Sequence, residues 1–339
     1  MYNSFYNLKE NPFRLTPNPA FLYMTAKHRE ALAGLVYSVC NRSGLTVLVG
    51  EAGTGKTTLL HVLKDWLAKR QFITALCTNP TLNREEFFDI LLTQLGINCS
   101  SSLKSRQLIA LEASLREHQA QGRRSVLIID EAHRLSPELL EEIRLLLNIE
   151  STQEKFLEII LAGQPELTDI LRHPELRQFK QRVNCYCRLE QLTVEETREY
   201  VHHRLTQAGL PNPNIFPDET ITLIHECTQG IPRLVSSLCD SSMQTGFALQ
   251  ANPLTLSIVR EAAKDLDLLQ HEQVQKESKN VVVAPTAIEV AEVSPRPGSL
   301  RAGHNGNGHT TAPLHAPPES YPSRQESVGF LANLINRWT

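Results

Sequence analysis

The stretch Leu45-Thr-Val-Leu-Val-Gly50-Glu-Ala-Gly53-Thr-Gly55-Lys56-Thr57-Thr58-Leu-Leu60 constrains this chain more than any other. Its first five residues are mostly apolar and partly β-branched and read as a buried strand. Leu59, Leu60 and Leu63 then recur at helical spacing. Between them, Gly50 to Thr57 fits G-x-x-x-x-G-K-[ST]. Strand, glycine-rich loop and helix are the three parts of a phosphate cradle. Gly50, Gly53 and Gly55 let successive backbone N–H groups face an anion, and the helix beginning near Gly55 adds the positive end of its dipole. Gly50, Glu51, Ala52, Gly53, Thr54, Gly55, Lys56, Thr57 and Thr58 are therefore the expected nucleotide contacts. Lys56 is expected to reach the β- and γ-phosphates of ATP, and the Thr57 hydroxyl to ligate Mg²⁺.

A second landmark is Ser125-Val-Leu-Ile-Ile-Asp130-Glu131-Ala-His133. Four apolar residues in a row indicate a strand covered on both faces, and parallel sheets place ligands at the carboxyl ends of their strands. Asp130 is expected to hold Mg²⁺ and Glu131 to polarise the attacking water. The bland alternative is a pair of carboxylates that cap the next helix. A further strand, Lys155 to Ala162, leads to Gln164, which either senses the γ-phosphate and lytic water or is a turn residue bonded to backbone. The cationic run Leu171 to Val183 offers Arg182 first, and Arg177 second, as a finger reaching a neighbouring subunit's γ-phosphate. Contact of the Arg172–Arg182 run with a DNA backbone is the rival use. Arg233, after Gly230-Ile-Pro, either closes onto the bound phosphates or lies at the surface.

Strands alternate with helical patterns up to about residue 190, which predicts a parallel α/β sheet; from there the pattern is wholly helical. Capping boxes are expected at Asn83–Glu86 and Thr193–Glu196, and an N-cap with proline at N1 at Ser136–Pro137. The division is an aromatic, proline-punctuated arm (1–24), an α/β domain (25–190), a helical lid (191–270), a disordered linker (271–325) and an amphipathic peptide (326–339). The arm is expected to be extended and packed on the α/β domain, with Phe21 to Leu32 placed to close over an adenine ring. The terminal peptide is expected to dock a partner groove or a membrane surface, or to fold back on the lid.

A net charge of -3 excludes a strongly basic chain. Seven scattered cysteines, never spaced C-x-x-C, suit a reducing cytoplasm, and Cys185 and Cys187 read as small hydrophobes on one strand face. No signal peptide and no spanning apolar segment are found, so a cytoplasmic location is expected, including the inner face of the membrane.

Six stretches together resemble the AAA+ ATPases of the group containing general secretion pathway protein A. They are Phe5-Tyr6-Asn-Leu8 with Asn11-Pro12-Phe13, Pro17-Asn-Pro19-Ala-Phe21-Leu22-Tyr23, the Gly50–Thr58 loop, Asp130-Glu-Ala-His133, Leu161-Ala-Gly-Gln-Pro-Glu-Leu167 and Gly230-Ile-Pro-Arg233. The resemblance covers about residues 1–270. It implies a five-stranded sheet plus lid, ATP and Mg²⁺ between them, and ring or filament assembly with shared sites. It further implies that Gln164 resembles the sensor-1 position, Arg233 the sensor-2 position, and Arg182 or Arg177 the trans finger. The function expected is ATP-driven remodelling or assembly of a secretion or cell-envelope complex. The alternatives are a DNA-associated ATPase of transposition-regulator or initiator type and a non-catalytic ATP switch. Relatives with the secretion role typically continue into a transmembrane helix and a cell-wall-binding region, where this chain has the linker and peptide.

Overall fold

Runs rich in aliphatic and β-branched residues pair edge to edge in a computed structural model of the chain. It describes residues 2–15, 21–79, 81–150, 155–210 and 213–269. Pro17, Pro19, the 271–325 linker and the 326–339 peptide lie outside the described residues. Among the described residues the strands are β1 (Leu45–Val49), β2 (Phe72–Cys77), β3 (Arg124–Ile129), β4 (Leu157–Gly163) and β5 (Val183–Arg188). All are parallel, in the order β2-β3-β4-β1-β5. β1 and β4 are buried at every position, which is why both read as largely apolar runs, interrupted by Thr46 and Glu158. Because β4 lies between β1 and β3, the residues just past its end fall between the glycine-rich loop and the acidic pair.

Helices α1 (Tyr2–Phe5) and α2 (Ala26–Cys40) precede the sheet. Helices α3 (Lys56–Ala68), α4 (Arg84–Gln94), α5 (Lys104–Ala120), α6 (Pro137–Leu146), α7 (Glu166–Arg172) and α8 (Arg177–Lys180) are interleaved with its strands. Local caps set their starts. The Glu86 N–H donates to Asn83 Oδ1 and the Asn83 N–H to Glu86 Oε2, both at 2.9 Å, while Ser136 Oγ accepts from the Leu139 N–H at 3.2 Å. After β5 come α9 (Val194–Gln207), opened by the Thr193–Glu196 capping box, then α10 (Asp218–Thr228), α11 (Pro232–Ala248) and α12 (Leu256–Asp265).

The arm joins the lid's core, where the sequence placed it on the α/β domain. Tyr2, Tyr6, Leu8, Phe13 and Phe21 are buried with Val201, Leu205, Val235 and Leu238. A buried tyrosine needs a partner for its hydroxyl, and α11 supplies them. Tyr2 Oη donates to Asp240, Tyr6 Oη donates to the Met243 carbonyl at 3.3 Å, and Asn11 Nδ2 donates to Asp240 at 3.0 Å. Nor is the arm wholly extended, since α1 is helical. Cys185 and Cys187 do share a face, turned toward α2, where a Cβ on Gly34 would lie 2.9 Å from Cys187 Sγ.

A buried carboxylate pins the start of β1. Glu158 on β4 is 5% exposed and accepts the Gly44 N–H at 2.6 Å, while the Gly44 carbonyl accepts the Ile159 N–H at 2.8 Å. Burial pushes Glu158 up to about 7, against the pull of the Gly44 N–H and of Lys155, Arg124 and Arg42. A folded value above the ordinary 4.5 gives stability that is present below pH 4.5 and lost as pH rises through 7. That loss is worth about 3 kcal/mol. Urea unfolding at pH 4.5 and pH 8 should show Glu158→Gln gaining about that much on wild type between the two.

Candidate nucleotide site

The glycine-rich loop, the ends of β3 and β4, the arm and the start of α11 surround a cavity of ≈ 550 Å³. Gly53 and Gly55 take φ of +82° and +98°, the left-handed region that side chains rarely adopt. A Cβ on Gly53 would also lie 2.8 Å from Arg233 Cβ. The loop is clamped from below by His28. Its Nε2 donates to the Thr54 carbonyl at 3.0 Å, and its Nδ1 accepts from Thr25 Oγ1 at 2.8 Å. Burial pushes His28 below its ordinary value, which keeps the ring neutral and the clamp in that tautomer.

Lys56 is 4% exposed, and its ammonium donates to the Gly50 and Glu51 carbonyls at 2.8 and 2.9 Å. Burial lowers its pKa, while the carboxylates of Glu131 and Asp130 oppose that shift. Thr57 Oγ1 donates to Asp130 Oδ2 at 2.6 Å, and Asp130 Oδ1 accepts the Glu131 N–H at 2.9 Å. The two motifs, 73 residues apart in sequence, thus meet through one hydrogen bond. A hydroxyl and a carboxylate side by side are the hard oxygen donors that magnesium takes, and the two positive-φ glycines leave the loop open to a phosphate chain, so the residues fit both groups. Glu131, held at φ +54°, lines the same cavity, as do Gln164 and Arg233. The arrangement can grip a phosphate chain with a divalent cation and hold a carboxylate beside it.

Residues 40–171 match the family described as AAA domain. That segment is similar to an AAA domain. Over 276 residues the chain is 36% identical to General secretion pathway protein A of Aeromonas hydrophila, covering 80% of this chain and 50% of that protein. The chain thus spans about half the length of that curated relative. Among solved structures it is similar to the Aeropyrum pernix ORC2 protein, with TM-score 0.57 and 18% identity over 79% of this chain and 74% of that one. The Drosophila ORC bound to DNA gives TM-score 0.59 and 15% identity, over 78% and 66%. CDC6P from Pyrobaculum aerophilum gives 0.56 and 17%, over 75% and 70%. At these identities the structural likeness is one of fold, the parallel P-loop AAA+ sheet with helices beyond it.

The structure brings most of the expected residues together around the cavity. Arg233, exposed in the first turn of α11, reaches the cavity because its backbone N–H donates to the Gly53 carbonyl at 3.3 Å. Phe21, Leu22, Tyr23 and His28 line the cavity, whereas Leu32 is buried on α2. Arg177 on α8 is exposed and Arg182 is half-buried just before β5; neither is in the cavity of its own chain. Sequence reasoning missed three contributors. His28 stands at the third position of α2 after its Thr25 cap, an anomaly for a buried helix face that could have been noticed. His133 was legible only as a letter in the acidic motif. Arg204 on α9 donates to the Pro12, Arg14 and Ser236 oxygens at 2.7, 3.2 and 3.0 Å, tying the arm across the cavity. No local pattern separates it from a surface arginine.

Proposed function

We propose that this chain binds ATP with magnesium and hydrolyses it, and that the cycle remodels or assembles a protein complex of a secretion or cell-envelope system. The observation carrying the chemistry is the 2.6 Å Thr57–Asp130 hydrogen bond beside Lys56 and Glu131. Loop N–H groups and Lys56 grip the phosphate chain. Thr57 and Asp130 would hold magnesium, which would supply charge that neutralises the phosphate chain. Glu131 orients and deprotonates the attacking water, with Gln164 alongside at the end of β4. Arg233 carries the lid's charge to the phosphates, and Arg182, or else Arg177, serves the site of a neighbouring subunit in a ring or filament. The secretion role rests on the name of the 36% identical relative. Among the described residues no helix is long and apolar enough to cross a membrane.

The exposed side chains of Arg172, Arg177 and Lys180 support a second reading, contact with duplex DNA. Purified protein should release phosphate from ATP only with magnesium, at a rate per subunit that rises with protein concentration as shared sites form. Folded protein that releases none would retire the hydrolytic reading. Salt-dependent duplex binding in the presence of ATP would favour the DNA reading, and its absence at low salt would remove it.

A further inference from the structure

The proposed hydrolysis leaves one imidazole in the site without a part. His133 sits on the 3₁₀ turn Ala132–Arg134, and its side chain is 14% exposed. It touches both residues that handle the attacking water. The Gln164 backbone N–H donates to its Nδ1 at 3.3 Å. Its Nε2 lies 3.2 Å from the Gln164 amide nitrogen and 3.6 Å from Glu131 Oε2. The approach is built into the backbone. A Cβ on Gly163 would lie 3.1 Å from the His133 backbone nitrogen, so the turn settles on the end of β4 over a glycine. Glu131 takes a left-handed φ of +54° at the entry to the same turn.

A ring nitrogen that accepts a hydrogen bond carries no hydrogen, so the neutral ring has its proton on Nε2. That N–H has the Glu131 carboxylate on one side and the Gln164 amide on the other. Because two donors cannot pair, the amide is assigned with its oxygen and nitrogen exchanged, which turns an acceptor toward Nε2. The N–H can serve one at a time. At 3.6 Å the Glu131 contact is longer than a hydrogen bond, and a move of under about 1 Å would make one.

We propose that His133 is a positioning residue that passes this N–H from Gln164 to Glu131, so that the carboxylate is fixed for water activation when Gln164 turns to the terminal phosphate. The inference rests on the hydrolytic reading and adds a coupling between phosphate sensing and the base. Bonded through Oε2, Glu131 keeps its second oxygen for the water. When Gln164 turns back, the N–H is recaptured and the carboxylate loses its fixed orientation, which would restrain hydrolysis without a correctly seated phosphate.

The test begins with wild-type turnover and nitrogen NMR of the histidines. A protonated Nε2 and bare Nδ1 at His133 are expected, and the opposite tautomer would overturn the proposal. His133→Ala should lower kcat by about 10- to 100-fold while ATP affinity stays within about twofold, because no phosphate-gripping group is touched. His133→Gln, whose amide can both accept and donate, should recover to within about fivefold of wild type. Gln164→Ala should cost less in the His133→Ala background than in wild type, because the coupling between the two is already gone. Unchanged kcat in His133→Ala, a glutamine variant no better than alanine, or losses that multiply would each overturn the coupling. Wild type that binds ATP without turnover would instead remove the hydrolytic reading beneath it.

Discussion

Glu131→Gln should bind ATP as tightly as wild type, or more tightly, and lose turnover by about three orders of magnitude. The side chains have nearly the same volume, and Lys56, Thr57 and Asp130 keep their contacts because Asp130 holds the backbone N–H of residue 131, which the substitution leaves in place. What disappears is the ability to take a proton from water. Removing a carboxylate from a site built for a polyanion also removes a repulsion, so affinity should not fall. Calorimetry gives the binding constant and phosphate release gives kcat. Turnover surviving the change would show that Glu131 is not the base. The same variant separates an ATPase-driven role from an ATP switch, since a switch would still capture its partner.

The fold and site were legible where the determinants are local, and hidden where they depend on which distant segments meet. The Gly50–Thr57 spacing, the apolar run before Asp130 and the capping boxes each lie within a few residues, so sequence was enough to place them. The position of Gln164 between loop and acidic pair comes from the strand order β2-β3-β4-β1-β5, which no local pattern encodes. His133 gains its contact with Gln164 from that order, across 31 residues. The arm is the largest departure. Tyr2 reaches Asp240 across 238 residues, and the aromatic spacing that revealed a packing segment could not say which core would take it. Arg204 repeats the lesson, because it is tied to Pro12 and Arg14 only once the arm lies across α9.

Lys56→Ala should weaken ATP binding by about a thousandfold and leave folding stability within about 1 kcal/mol of wild type. The affinity loss comes from the chemistry of the ammonium. Hydrogen bonds to a charged group are worth about 1.5–3 kcal/mol each, two of them about 4 kcal/mol, and each 1.4 kcal/mol is tenfold. The stability side runs the other way. Burial sets the Lys56 pKa below its ordinary 10.5 in spite of Glu131, Asp130, Glu51 and Glu166. A lowered folded value means its contribution is favourable above 10.5 and lost as pH falls from there through the folded value, so at neutral pH the charged lysine opposes folding. Deleting it removes that opposition and strands the Gly50 and Glu51 carbonyls, which offsets the gain. Denaturant unfolding and calorimetry on one sample therefore separate the two roles. A variant that loses affinity and several kcal/mol together would mark Lys56 as a structural pin of the loop, and one that keeps its affinity would show that the loop does not hold the phosphates.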